Sequence, residues 1–527
     1  MDSEVVLFWV VCFASLTGLG LAVVRIRSAG AGWGVLYLLI LVVCLLGRFW
    51  DKKILTYIAG TMFLLFVVLP GFLGKLYYRR FLQQRYPAAR RIARLVSWLH
   101  PADGWPEQPD IVRAVELAQL GDLVGATETL KRYQGGKSLA SLSAIPILCR
   151  ITNQWEELIA WEKQNPRTLD RLPQLLHTAL RARGEVGDLS GLIELYDRRK
   201  TQIAKLALPA ARDLCRLMLF VFSGKRSLVE HLFYGNLGDL PASTQRFWLA
   251  TADLAAGRRE EAKRQLEQLL PEADPLTRLA IERRLAPVSI SQVTLGSPEE
   301  LVIESAALEQ SHEECFTAAP GLFSSQARAT QMLIIVNLVM FAAEVLLGGA
   351  TNGGVLYRLG ALFPPAVRAG QWWRLVAALF LHFGMLHLVM NMIALAFLGP
   401  FMEFALGLRK FLLVYLLTGI GSMGVVMVFA SGPTGQQMTV GASGCVMGLI
   451  GATGALMLRG WRAEKALAAK RRLTAMLAIV AMQTVFDGLI PNVSMAAHLS
   501  GVVFGFSITL ILGDRLKVRR SSPHFGK

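Results

Sequence analysis

Gly441-Ala442-Ser443-Gly444-Cys445-Val446-Met447-Gly448 opens an apolar run that continues to Leu458, and its reading decides what kind of molecule this chain forms. A serine between glycines is ordinary in a loop, but the run behind this one is apolar enough to lie in a bilayer. A second polar residue, His498, interrupts the apolar stretch from Met495 to Gly505. A polar side chain at membrane depth is costly unless it faces a partner or a water-filled cavity. One serine and one histidine, each beside small residues, point to hydrolysis inside a membrane.

Small residues explain how two such helices would meet. His498, Gly501 and Gly505 are spaced i, i+3, i+7 on one helix face, and Gly444, Gly448 and Ala452 make a second stripe. Stripes of this kind let backbones approach closely in lipid. A serine hydroxyl becomes a useful nucleophile when a neutral imidazole within hydrogen-bond reach takes its proton. The oxyanion that develops needs fixed donors. Candidates lie in His382-Phe-Gly-Met-Leu-His387-Leu-Val-Met-Asn391, where His387 and Asn391 stand four residues apart on one face.

The composition suits a protein that is part membrane and part soluble: 527 residues, 53% apolar, with a formal charge of +17. Much of the positive excess sits in short loops beside apolar segments, such as Arg459, Arg462, Lys465 and Lys470 to Arg472. That is the pattern of cytoplasmic loops, so no nucleic-acid partner is expected. The six cysteines show no CxxC or zinc-ligand spacing and read as buried thiols. His312-Glu-Glu is not a metal signature, and neither a metal nor a cofactor is expected.

Three apolar runs of roughly spanning length, 5–24, 33–47 and 54–74, fill the N-terminal segment 1–80. A soluble, helix-rich region follows over 81–310, with a weak internal period. Turns at Gly121, Asn153, Gly187, Gly224 and Gly257 fall roughly 32 to 37 residues apart, close to the helix–turn–helix repeat of about 34 residues. These segments look like degenerate tetratricopeptide-type repeats, which make binding surfaces rather than catalytic pockets. Residues 311–327, part of an acidic, small-residue stretch over 297–326, read as a linker.

A second membrane block follows, with apolar runs at 333–347, 386–404, 411–430, 443–458, 473–490 and 495–512. Its alternate loops are basic (405–410, 459–472 and the tail 516–527), while 431–442 carries no charge and 487–494 only Asp487. Both ends of the block, the C-terminus and the repeat domain are therefore expected in the cytoplasm. Ser443 and His498 then begin their helices from the same outer side.

Residues 328–515 resemble a rhomboid intramembrane serine protease. Gly441-Ala-Ser-Gly444 with Gly448 matches that family's nucleophile motif, and Ala497-His498 through Gly501 to Gly505 its histidine helix. His382, His387 and Asn391 match the HxxxxHxxxN element, Trp373-Arg374 the pair in the first loop. Gly399, Glu403, Gly407, Phe411, Tyr415 and Gly419 match its structural pattern. The resemblance implies an all-α polytopic fold with a six-helix bundle, here preceded by about three N-terminal transmembrane helices and the soluble helical domain. It implies a Ser443–His498 dyad without an aspartate, with His387, Asn391 and His382 stabilising the oxyanion or substrate. It further implies transmembrane protein substrates, in a multi-pass protein set among membrane lipid. The basic-loop pattern suits a bacterial inner membrane, and the repeat domain would bind a protein partner or regulate cleavage. The alternative is a rhomboid-fold protein that binds membrane clients without cutting them. One departure stands out: Met447 occupies a position where family members often carry an aromatic ring packed on the catalytic imidazole.

Overall fold

Gly121, Asn153, Gly187, Gly224 and Gly257 all have positive φ, between +57° and +93°, and each ends one helix and begins another. The computed structural model describes residues 3–25, 31–50, 52–101, 104–134, 139–286, 296–317, 320–429, 437–489 and 494–512. The basic tail 516–527 and much of the 431–442 loop lie outside the described residues. The chain divides into two compact units, Met1–Ala307 and Leu308–Lys527.

In the first unit, Ser3–Arg25, Ala31–Phe49 and a long run from Lys53 to Leu82 form the N-terminal helices. The last is 30 residues long, where a bilayer core needs about 20, so its end, with Arg79 and Arg80, projects beyond a membrane. Pro70 is accommodated next to a π-helical turn, Leu64–Val68, which opens the helix where a backbone donor is missing. Arg79 then makes two hydrogen bonds to Asp239, at 2.9 and 3.1 Å, linking this helix to the helices that follow in the same unit.

Those helices are a series of hairpins, and the turn chemistry repeats. In Gly121-Asp122-Leu-Val-Gly125 the Asp122 carboxylate accepts from the Gly125 N–H at 2.8 Å. In Gly187-Asp188-Leu-Ser-Gly191 the Asp188 carboxylate accepts from Gly191 at 2.9 Å. A left-handed glycine followed by an N-capping aspartate stops one helix and starts the next within two residues. Leu176, Leu180, Leu192, Leu217, Phe220 and Trp248 bury the faces these hairpins share. Glu185 pairs with Arg284 at 2.6 Å inside this core and with Arg181 at 2.9 Å.

In the second unit the helices Arg328–Leu346, Met385–Leu406, Leu408–Phe429, Ser443–Glu464, Leu467–Leu489 and Met495–Leu512 form the bundle. Seven helices among the described residues are long and apolar enough to cross a membrane, two in the first unit and five here. Leu467–Leu489 is not among them; Lys470, Arg471 and Arg472 crowd its first turns, and Gln483 and Asp487 interrupt its C-terminal half. Ser443–Glu464 is the central helix: 83% of its apolar window is buried, against 17–44% for the other six. Its glycine content follows from that position, because Met385–Leu406, Leu408–Phe429, Leu467–Leu489 and Met495–Leu512 all pack against it.

The linker expectation needs correction. Ser297–Thr317 is a continuous helix, since Glu and Ala favour helix and no glycine or proline interrupts 299–317. Its last turns, within the second unit, are fastened to the basic 459–472 segment. Glu313 pairs with Arg471 at 2.8 Å, the Phe316 carbonyl accepts from Arg472 at 2.7 Å, and His312 meets Glu464 at 3.4 Å. Glu313, part of the acidic stretch read as a linker, is the docking partner of Arg471 at the start of Leu467–Leu489.

Candidate active site

Ser443 begins the central helix, with Ala442 as its N-cap. Its own N–H lies in the first turn, where no intrahelical acceptor exists. Gly441, two residues earlier, has a φ of +129°, and a Cβ there would stand 2.7 Å from the His387 ring. Its N–H donates to the Ala378 carbonyl at 2.9 Å. An antiparallel bridge between Leu362 and Thr439 ties the same approach strand to the first loop. The serine is thus delivered by a segment held at three successive points.

His498 lies in the first turn of Met495–Leu512, whose start Ser494 caps by accepting from the Ala497 N–H at 3.2 Å. The two helices meet along their glycines. A Cβ on Gly501 would stand 2.4 Å from the Gly444 carbonyl oxygen, and one on Gly451 would stand 2.0 Å from that of Val502. On its other flank the central helix receives Ser422 against Gly444 and Thr418 against Gly448, at 2.1 and 2.3 Å from a built Cβ. Among the described residues no hydrogen bond joins the Ser443 hydroxyl to the His498 ring. Backbone contact between their helices is what brings them together, and catalytic hydrogen bonds commonly tighten only when substrate binds.

His498 has a firm partner elsewhere. Its Nδ1 lies 2.7 Å from Asp487 Oδ2, and the other carboxylate oxygen accepts from Gln483 Nε2 at 2.8 Å. The Asp487 side chain is fully buried. The sequence places Asp487 just ahead of the His498 helix as the lone charge between two apolar runs, but the family resemblance implied no aspartate and gave it no part in the site.

His387 packs on Gly441 and lies within electrostatic range of His498. Its Nδ1 accepts from the Phe383 N–H at 3.4 Å, which leaves Nε2 toward the Gly441 turn. Asn391 is buried one turn on, and its amide donates to the His387 carbonyl at 3.0 Å. His382 is buried with its ring 5.2 Å from that of His387, and its backbone N–H donates to Glu344 at 2.8 Å. Glu344, a lone carboxylate within the first apolar run of the block, is a residue that sequence reasoning passed over.

The remaining motif residues shape the frame. Arg374 donates to the carbonyls of Tyr357 and Ala361 at 2.7 and 3.0 Å and stacks on the Tyr357 and Trp373 rings. It holds the first loop closed without any carboxylate partner. Glu403 accepts from the N–H groups of Ala329 and Thr330, each at 2.8 Å, capping the first bundle helix. Met447 is buried one turn below Ser443. No cluster of three or more metal-ligating side chains occurs among the described residues.

The Rhomboid domain family model matches residues 369–515. The chain is 29% identical over 209 residues to Rhomboid protease GluP of Bacillus subtilis, covering 40% of this chain and 39% of that protein. It is 34% identical over 165 residues to RHOMBOID-like protein 6, mitochondrial, of Arabidopsis thaliana, covering 31% of this chain and 50% of that one. Against the Bacillus subtilis protein named "Putative rhomboid protease YdcA" it is 32% identical over 145 residues, 28% of this chain and 69% of the relative. The chain thus spans half or less of the first two relatives' lengths, and the segment matched by the family model holds Ser443 and His498.

Proposed function

The chain belongs to the rhomboid family, and from that membership we propose that it is a serine endopeptidase that cuts transmembrane protein segments in or near the bilayer. Ser443 Oγ attacks the scissile carbonyl carbon while His498 Nε2 takes its proton. The tetrahedral intermediate collapses as the C–N bond breaks, and the same ring protonates the departing amine. Water then hydrolyses the acyl-serine by the reverse proton path. The Ser443 N–H, His387 and Asn391 stabilise the oxyanion, with His382 supporting His387. The observation that carries this reading is the glycine-lined backbone contact that sets the first turns of the Ser443 and His498 helices side by side.

The test is cleavage of a model transmembrane substrate in liposomes. Wild type is expected to cut, and Ser443→Ala and His498→Ala to be inert. Cleavage that survives Ser443→Ala would overturn the mechanism. A wild type that binds a panel of transmembrane segments without cutting any would favour the client-binding alternative.

The helical hairpins of the first unit are read as a tetratricopeptide-like domain that recruits a protein partner or regulates cleavage. A cavity of about 180 Å³ supports this, lined by Tyr86, Arg150, His177, Arg181 and Trp248. Arg150 among aromatic walls suits an acidic peptide segment, Arg181 being already paired with Glu185. Arg150→Glu is expected to weaken capture of such a peptide while sparing cleavage of a minimal substrate. The basic charge of alternate loops favours a cytoplasmic side for this domain and the C-terminus, and a bacterial inner membrane fits that reading. Impermeant labelling of single cysteines placed in the 459–472 loop checks the orientation.

A further inference from the structure

The geometry points to Asp487 as a positioning residue for His498, so that the working unit is Ser443–His498–Asp487 rather than a dyad. This rests on the serine-protease reading above and adds a third group to it. An imidazole in apolar surroundings can carry its proton on either nitrogen, and only one choice leaves Nε2 free to accept from serine. The Asp487 carboxylate, 2.7 Å from Nδ1, accepts a proton there and excludes the other tautomer. When His498 becomes imidazolium, the same carboxylate offsets the new charge where little water screens it.

The carboxylate is itself held. Gln483, one turn before it on the same helix, donates to Oδ1 at 2.8 Å, and the Gln483 amide reaches within 3.5 Å of the His498 ring. A fully buried carboxylate is tolerated only with both oxygens partnered, and here one oxygen serves Gln483 and the other His498. The arrangement also answers the departure at Met447. A flexible thioether constrains a neighbouring ring weakly, and a fixed acceptor on Leu467–Leu489 supplies the orientation instead. Ser494 completes the setting by capping the His498 helix, so the ring is aimed by its backbone, its Nδ1 partner and the glycine contact together.

The test uses the full chain in liposomes. Asp487→Asn keeps the shape but offers an amide that can donate to Nδ1, so kcat is expected to fall by on the order of 100-fold or more with KM within about twofold. Asp487→Glu should recover part of the loss. A kcat for Asp487→Asn within about threefold of wild type, with Ser443→Ala and His498→Ala inert, would remove Asp487 and leave the dyad standing. Cleavage by Ser443→Ala would instead sink the underlying reading, so the two failures are distinct. Should Asp487→Asn not fold, nitrogen-15 spectra of wild type decide. A His498 ring protonated on Nδ1 supports the proposal, and one protonated on Nε2 or mixed overturns it.

Discussion

A Cβ built on Gly505 would stand 1.9 Å from the carbonyl oxygen of Gly448, so the helices bearing the serine and the histidine touch backbone to backbone. No side chain larger than hydrogen fits between them. The alignment of the Ser443 and His498 turns therefore depends on an interface two turns away from them.

Gly505→Val should force the two helices apart. We expect a destabilisation of roughly 2–3 kcal/mol from overpacking. Cleavage should fall by about 100-fold as the first turns shift. Gly424→Ala is the control, since nothing lies within 4 Å of its built Cβ; it should be neutral or stabilising by up to about 1 kcal/mol. Thermal unfolding in detergent, read beside a cleavage assay, separates the two variants.

Glu403→Gln replaces one acceptor of the cap on Arg328–Leu346 with a donor that faces the Ala329 or Thr330 N–H. Losing charge-assisted hydrogen bonds of this kind should cost about 1.5–3 kcal/mol. Because the cap is far along the chain from Ser443, the KM of the folded fraction should hold. A raised KM with unchanged stability would contradict the capping role.

His387→Ala and Asn391→Ala should differ. The His387 ring sits directly on the Gly441 turn, whereas one of the two Asn391 amide N–H groups is already given to the His387 carbonyl. Removing a donor aimed at the oxyanion lowers kcat by roughly 100- to 1,000-fold. We expect that range for His387→Ala and about tenfold for Asn391→Ala, from steady-state kinetics on one substrate.

Acid should loosen the helical domain in two steps. Burial, reinforced by the Arg150 charge, holds His177 down to about 4, below its ordinary 6.5. The unfolded chain then takes up a proton that the folded one refuses, and stability is lost as pH falls from about 6.5 to 4. Glu185 behaves differently: burial alone would raise its carboxyl, but Arg284 and Arg181 overcome this and hold it at about 2. Its contribution, on the order of 3 kcal/mol, is present above pH about 4.5 and disappears between there and 2. Denaturant titrations at stepped pH, read by hydrogen exchange in 176–196, should lose the upper step in His177→Phe. Glu185→Gln should lose the lower step, at a cost of about 3–5 kcal/mol at neutral pH for a buried unpaired Arg284.

The amino-acid order by itself determined the apolar runs, the five hairpin turns and the polar residues that belong inside the bundle. These are local properties. A positive φ at Gly187, an N-cap at Asp188 or a small-residue stripe from Gly501 to Gly505 depends on a few neighbouring residues. Composition misled at 311–317, because these residues make a good helix and Glu313 finds a basic partner, Arg471, 158 residues away.

Only tertiary structure decided which polar groups meet. Asp487 and His498 are eleven residues apart on different helices, and no spacing rule makes them neighbours; the crossing of Leu467–Leu489 with Met495–Leu512 does. Glu344 reaches the His382 N–H across 38 residues by the same kind of packing. A buried carboxylate must find its donors wherever the folded bundle offers them, and that choice is made by the bundle as a whole.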